Sequence, residues 1–123
     1  MTSDDFRRLA LDLPGATEHA HMGHPDFRAN GRIFASMHSR DRFGMVKVAP
    51  EEQRALLRAH GPMFESSSGA WGRQGCTNVH LAVATTAVVR GALLLAWQLA
   101  ASKPAAKKSS RRRTVSAGPR SQG

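Results

Sequence analysis

Three histidines, His19, His21 and His24, lie within six positions near the start of the chain. Imidazole nitrogens bind tetrahedral zinc, so a loop that brought the three rings together would offer a metal site. The spacing fixes no cysteine and no fourth ligand, and the nearby carboxylates are Glu18 and Asp26. Hydrogen bonding within an ordered loop explains the same histidines. We therefore predict no metal and no cofactor.

The other reactive side chains do not indicate an enzyme. The sequence has no glycine-rich phosphate loop, no nucleophile elbow and no paired carboxylates. Cys76 and His80 are four positions apart, a spacing that on a strand puts both side chains on one face but roughly 13 Å apart. That separation is too long for a nucleophile and its base. We predict a protein without enzymatic activity, in which Cys76 packs as a small buried residue.

The charge is divided unevenly along the 123 residues. All nine acidic residues precede position 66, whereas seven of the 18 lysines and arginines follow Ser102, so residues 1–102 carry eleven cations against nine acids. We predict one folded domain over residues 1–102 and a basic disordered tail over residues 103–123. Such a tail favours salt-sensitive contacts with phosphates, and a solubilising role fits it as well.

Cysteine usage and hydropathy indicate a cytoplasmic protein. A single cysteine cannot form an internal disulfide, which suits a reducing compartment. The acidic start, Met-Thr-Ser-Asp-Asp, lacks the apolar core of a secretory signal. No apolar run approaches the roughly 20 residues that a membrane-spanning helix needs. We expect no association with a membrane.

Local patterns predict the elements that must position these side chains. Ser3, followed by two aspartates, is typical of a helix start, and apolar residues recur at helical spacing as far as Leu13. Pro14-Gly15 ends that helix. Residues 15–25 contain two glycines and a proline without a clear period, which indicates an ordered loop.

Asn30-Gly31 is the strongest local signal, because both residues tolerate the positive φ that a two-residue type I′ turn requires. The turn predicts a hairpin that pairs residues 26–29 with residues 32–38. In its simplest register Phe27 lies opposite Phe34 on one face, and Arg28 lies opposite Ile33 on the other. Ala35 and Met37 share that second face with Ile33.

The rest of the chain is predicted to add three strands and two helices. They are a strand over residues 44–49, a helix from Pro50 to Gly61-Pro62, a short or bulged strand over 70–76, a strand over 77–83, and a helix from Thr85 or Thr86 to about Ala101. The predicted order is α-β-β-β-α-β-β-α. We therefore predict an α+β two-layer sandwich, with an antiparallel sheet and helices on one face.

Short motifs along residues 2–101 stand in a specific order and spacing. They are Asp5-Phe6-Arg7 with Leu13-Pro14-Gly15, the stretch from His21 to Phe34, Gly44-Met45-Val46-Lys47, Pro50-Glu51-Glu52-Gln53, and Gly69-Ala70-Trp71-Gly72-Arg73. Together they resemble the MmcQ/YjbR family of small bacterial proteins. The resemblance implies a CyaY-like fold and DNA binding through a two-winged β-surface.

Cations in the domain and in the tail carry the DNA-binding hypothesis. Spaced cations on a β-ribbon can contact phosphates, and a two-stranded ribbon can enter a major groove. A solvated sheet face, balanced by Asp26 and Asp41, explains the domain cations as well. The leading hypothesis is largely non-specific DNA binding by Arg28, Arg32, Lys47, Arg73, Lys107, Lys108, Arg111, Arg112 and Arg113.

The alternative hypothesis is a small-ligand or protein-interaction module. Aromatic side chains beside an arginine suit an anionic ligand in a concave site. The predicted pocket lies between the 19–27 and 69–75 loops and is formed by His21, His24, Phe27, Trp71 and Arg73.

The final helix is apolar around most of its surface. Leu93-Leu94-Leu95 replaces a helix face that is more charged in the family that the chain resembles. Such a helix is covered by several neighbours or pairs with another chain. The sequence therefore leaves open a monomer and a homodimer through the C-terminal helix.

Overall fold

The computed structural model of this chain describes residues 1–21, 23–38 and 42–102, and of His21 it describes the backbone. The described strands form one antiparallel sheet. In chain order the elements are α1 (Ser3–Leu11), β1 (Thr17–His21), β2 (His24–Ala29), β3 (Arg32–His38), β4 (Phe43–Lys47), α2 (Pro50–Ala59), β5 (Phe64–Ser66), α3 (Gly69–Arg73), β6 (Cys76–His80), a 3-10 turn (Leu81–Val83) and α4 (Thr86–Ser102).

The sheet has the order β1-β2-β3-β4-β6-β5. Helices α1 and α4 pack across its central strands, and α2 packs against β5. Fully buried side chains such as Phe6, Phe34 and Leu93 fill the space between these layers. The predicted α+β two-layer sandwich is therefore confirmed. The other face, here called the outer face, carries Arg28, Ile33, Ser36, His38, Phe43, Met45, Lys47, Cys76 and Asn78.

The β2–β3 turn has the predicted geometry. Asn30 and Gly31 have φ values of 56° and 74°, as a type I′ turn requires. Beyond the predicted pair of Arg28 with Ile33, a β-bulge inserts Phe34 as an extra residue. Because of this bulge the register differs from the simplest one. Phe27 lies opposite Ala35, and Ala35 and Met37 belong to the core.

Strand β1 replaces the ordered loop that was predicted for residues 15–25. It forms the edge of the sheet and pairs with β2. The side chains of residues 17–20 are all exposed, so neither face of this strand carries an apolar repeat. Period-2 patterning signals a strand only where one face is buried, and this edge strand therefore gave no signal.

The segment between α2 and α4 also differs from the prediction. Residues 69–73 form α3 rather than a short strand, residues 64–66 form β5, and the strand predicted over 77–83 ends at His80. The glycines here allow close backbone contact rather than a bulge. A Cβ atom at Gly72 would lie 1.8 Å from the Ser67 carbonyl oxygen. This segment therefore has one more helix than predicted, and its short strand lies before that helix rather than over residues 70–76.

Helix α4 is covered mainly by its own chain. Its buried residues include Val89, Leu93 and Ala96, whereas Leu94 is 40% exposed. The homodimer through this helix stays a prediction. Within the ranges given above, no helix combines the length and the apolar character that crossing a membrane requires. The cytoplasmic location also stays a prediction.

Gly44 offers a direct test of the packing of α1 on the sheet. A Cβ atom at Gly44 would lie 2.7 Å from ring atoms of Phe6, which is fully buried and has no room to move. We expect Gly44→Ala to lower the free energy of unfolding by about 1–3 kcal/mol, measured by urea denaturation. The matched control is Gly91→Ala on α4, where a Cβ atom meets nothing within 4 Å. This control should be neutral or stabilising by about 1 kcal/mol. A fully stable Gly44→Ala variant would contradict the packing.

Candidate functional site

Helix α3 places Trp71 on the surface with its side chain 67% exposed. The buried Gln53 of α2 fixes that helix, because its Nε2 donates to the carbonyl oxygens of Gly72 (3.1 Å) and Cys76 (2.9 Å). The Ser67 N–H donates to the same Cys76 oxygen at 3.0 Å. Trp71 is therefore exposed on an anchored backbone, so its indole offers a binding surface at a defined place in the fold.

The first of two grooves beside Trp71 is cationic. It has a volume of about 540 Å³ and is bounded by the β2–β3 turn, β4, α3 and the end of α4. Arg28, Arg32 and Lys47 line it, and none of the described lining residues is acidic. We call it the cationic groove. Its other lining residues are mostly apolar, namely Gly31, Ile33, Met45, Trp71, Cys76, Ala96, Leu99 and Ala100.

Arg28 is held in the cationic groove by Asp26. Its Nε and Nη2 donate to the two carboxylate oxygens of Asp26 at 2.8 and 3.3 Å. The Asp26 side chain is nearly buried, whereas one third of the Arg28 side chain is exposed. Hydrogen bonding to Asp26 raises the pKa of Arg28 above its ordinary value. The guanidinium is thus fixed in place while part of it stays available to a ligand.

The second groove, here called the aromatic groove, has a volume of about 380 Å³. The rings of His38 and Phe43, a cross-strand pair of β3 and β4, stack in its wall with centroids 4.8 Å apart and an interplanar angle of 15°. The His24 ring lies 4.6 Å from that of His38. The two grooves adjoin, because Met45, Trp71 and Cys76 line both.

Cys76 lies where the two grooves meet. Its side chain is buried, and this burial raises the pKa of the thiol, while the positive charge of its cross-strand neighbour Lys47 partly offsets the rise. His80, at the far end of β6, makes a contact of 2.8 Å with Glu65. The structure thus shows Cys76 as a buried groove residue. The lack of enzymatic activity stays a prediction.

The nine cations predicted to bind DNA fall into three groups. Arg28, Arg32 and Lys47 come together in the cationic groove. Arg73 is exposed on α3 but lines neither groove. The remaining five lie in the predicted disordered tail, outside the described residues: Lys107, Lys108, Arg111, Arg112 and Arg113.

The β2–β3 hairpin is not a free two-stranded ribbon. It pairs with β1 on one side and with β4 on the other. These four strands span roughly 14 Å, whereas a major groove is about 12 Å wide. The turn is also fastened to α4, because Asn30 Nδ2 donates to the Ala100 carbonyl oxygen at 3.3 Å. The predicted two-stranded ribbon is therefore an internal hairpin of the sheet, and its contact with DNA stays a prediction.

The pocket predicted between the 19–27 and 69–75 loops also needs correction. Phe27 is fully buried in the core and cannot line an open pocket. Residues 19–21 belong to β1 and residues 24–27 to β2, rather than to a loop. Of the predicted set, Trp71 lines both grooves, while His24 and Arg73 line neither, and the side chain of His21 is not described.

Sequence reasoning missed three residues that shape the site. His38 ends β3 and Phe43 begins β4, so two aromatic side chains that flank the charged stretch between these strands were an available signal. Gln53 precedes Leu56 and Leu57 at helical spacing, which places it on the apolar face of α2. A polar residue on such a face indicates a buried hydrogen-bonding role.

The histidine cluster makes ordinary local contacts. His19 Nε2 lies 3.1 Å from the Thr17 hydroxyl, and His24 packs against His38. Within the ranges that the structure describes, no three residues of the types His, Cys, Asp and Glu lie close enough to hold a metal ion. These contacts explain two of the three histidines without a ligand.

The fold and the grooves define a small α+β protein with an open antiparallel sheet and a cationic surface groove. The YjbR family model matches residues 11–99. The chain therefore belongs to the YjbR family, which confirms the resemblance drawn from its motifs.

One solved structure gives an independent view of this fold. The crystal structure of Deinococcus radiodurans protein DR2400, with a DUF419 domain, is similar at a TM-score of 0.67 and 21% identity. The match covers 80% of this chain and 77% of that chain. At this identity the likeness supports the fold alone. A comparison with curated proteins found no match.

Gln53→Leu tests whether the buried amide anchors α3. The substitution keeps the volume but removes both hydrogen bonds to the Gly72 and Cys76 carbonyls, so we expect a loss of about 1–3 kcal/mol in the free energy of unfolding. In a Trp97→Phe background, where Trp71 is the single tryptophan, acrylamide quenching should also change, because α3 loses its support. Gln98→Leu, on the exposed side of α4, is the matched control. Equal stability of the two variants would show that α3 is held by other contacts.

The pH dependence of alkylation tests the environment of Cys76. Since burial raises the thiol pKa, less of the reactive thiolate forms at neutral pH, and the midpoint of the rate against pH should lie above the ordinary value of about 8.5. Lys47→Ala removes the opposing positive charge and should move the midpoint higher still. Arg58→Ala, which removes an exposed cation of α2, should leave it unchanged. A lower midpoint in Lys47→Ala would contradict this account.

Proposed function

We propose that this protein binds DNA through the cationic groove, with the basic tail adding non-specific affinity. The observation that carries the proposal is that Arg28, Arg32 and Lys47, from three different strands, line one groove whose described residues include no acid. Phosphates are the groups that such a cluster of cations favours, and phosphate contacts supply most of the affinity in non-specific DNA binding.

The fixed position of Arg28 supports this proposal. A guanidinium can donate in parallel to two phosphate oxygens, and such bidentate pairs are strong and geometrically specific. Asp26 already orders the side chain through two hydrogen bonds, so binding costs less side-chain entropy than it would for a mobile arginine. Arg32 and Lys47 add two further cations to the lining of the same groove.

The tail supports the proposal through its charge. Residues 103–123 carry seven cations and no acid, whereas the domain has a formal excess of two cations. Cations that neutralise phosphates release counterions, which makes binding steeply dependent on salt and independent of sequence. We therefore assign most of the salt dependence to the tail and the positioning of the strand to the groove.

The second candidate function is binding of a small anionic ligand with an apolar body. The cationic groove favours it, because a volume of about 540 Å³ and mostly apolar walls with a few cations are typical of ligand sites. In this case residues 1–102 would bind a small aromatic anion, such as anilinonaphthalene sulfonate, and Lys47→Ala would weaken that binding. The same residues would not bind DNA.

The two functions are separated by titrating labelled DNA at low and at moderate salt. Full-length protein should bind more tightly than residues 1–102, and removal of the tail should flatten the salt dependence. Lys47→Ala should weaken binding to all sequences alike and lower the slope against log salt by about 0.9 for each lost phosphate contact. Arg58→Ala, the matched control, should bind like the unmodified protein.

Three outcomes would count against the proposal. Equal and salt-independent binding by full-length and truncated protein would contradict the role of the tail. Identical binding by the Lys47→Ala and Arg58→Ala variants would move the site away from the cationic groove. No binding at low salt by either length of the chain would remove the function.

A further inference from the structure

We propose that the nucleic acid accepted by this site is single-stranded, with one unpaired base stacked on Trp71 and a neighbouring base in the aromatic groove. The inference rests on the proposed function and specifies its substrate. It is carried by the junction of two different grooves at one exposed indole.

The exposure of Trp71 is the first observation. Two thirds of this large side chain is open to water, although Gln53 and the close approach of Gly72 to Ser67 hold its helix firmly. An exposed indole on an anchored helix offers a flat face for stacking. In a duplex the flat faces of the bases are already covered by their neighbours, whereas an unpaired base has its own face free. The indole therefore complements a single strand.

The two chemistries on either side of Trp71 are the second observation. On one side Arg28, Arg32 and Lys47 offer positive charge, and on the other His38 and Phe43 offer stacked rings. A charged groove that tracks the backbone, together with aromatic surfaces that take successive bases, is typical of proteins that bind single strands without sequence preference. Both parts are present here, and they share the same indole.

The placement of the aromatic pair is the third observation. The Ser36 hydroxyl lies 3.2 Å from His38 Nε2, and the His24 ring packs near the ring of His38. Phe43 is half-buried and stacked nearly parallel on His38. These rings are thus ordered before any ligand arrives, which lowers the entropic cost of binding a base.

The shape of the outer face argues in the same direction. The β2–β3 hairpin lies inside the sheet and its turn is fastened to α4, so it is not free to enter a duplex groove. What the surface offers instead is a pair of concavities of about 540 and 380 Å³. Flexible, unstacked nucleotides can follow such concavities more closely than a stiff duplex can.

The test compares one labelled mixed-pyrimidine strand, alone and annealed to its complement, by fluorescence anisotropy at low salt with the full-length protein. We expect the single strand to bind about tenfold more tightly than the duplex. Trp71→Ala should weaken single-strand binding about tenfold and leave duplex binding unchanged, while Trp71→Phe should keep most of the affinity. Phe43→Leu, which keeps an apolar side chain, should weaken the single strand alone. Val83→Ala, which trims another exposed apolar residue, should change neither.

The possible failures are distinguishable. Equal affinity for the two forms, or single-strand binding that Trp71→Ala does not weaken, overturns the inference and leaves DNA binding through the cationic groove standing. Absence of binding by both forms overturns the inference and the proposed function together. Circular dichroism of each variant confirms that the domain is folded.

Discussion

The site depends on one buried amide. Gln53 of α2 donates to carbonyl oxygens of Gly72 and Cys76, so a single side chain joins α2, α3 and the start of β6. In water these carbonyls would be solvated, and in the interior they need a donor because a buried unpaired carbonyl costs free energy. On α3 itself, the backbone of Gly72 lies so close to the Ser67 carbonyl oxygen that a Cβ atom would not fit between them. The two grooves adjoin at Trp71, and this anchor holds the helix that carries the indole.

The sequence predicts those parts of the fold that local chemistry controls. Asn30-Gly31 permits few conformations other than a tight turn, and the central strands have a buried face that imposes a period. Strand β1 is different, because its exposed side chains carry no period. Helix α3 is also different, because Gly72 serves a close contact with the Ser67 carbonyl and the helix is anchored by Gln53, 19 positions earlier. Such tertiary requirements leave no local pattern.

The sequence predicts which residues form the candidate site better than it predicts how they are arranged. Arg28, Arg32, Lys47 and Trp71 were recognisable as cations and an aromatic residue on neighbouring elements, and the structure brings these four together. The end of α4 also lines this groove, with residues about fifty positions after β4. No spacing rule in the sequence relates these residues to β4. The burial of Phe27 likewise follows from how the helices cover the sheet.

The bulge at Phe34 determines which residues of β3 lie on the outer face. Side chains of a strand alternate, so one extra residue exchanges the two faces of everything beyond it. In β3 this change of phase turns Met37 into the core and brings His38 out to stack on Phe43. A strand without the insertion would expose a thioether and bury an imidazole. The aromatic surface of this protein therefore depends on one inserted residue. The number of residues in β3 determines which side chains form that surface as much as their types do.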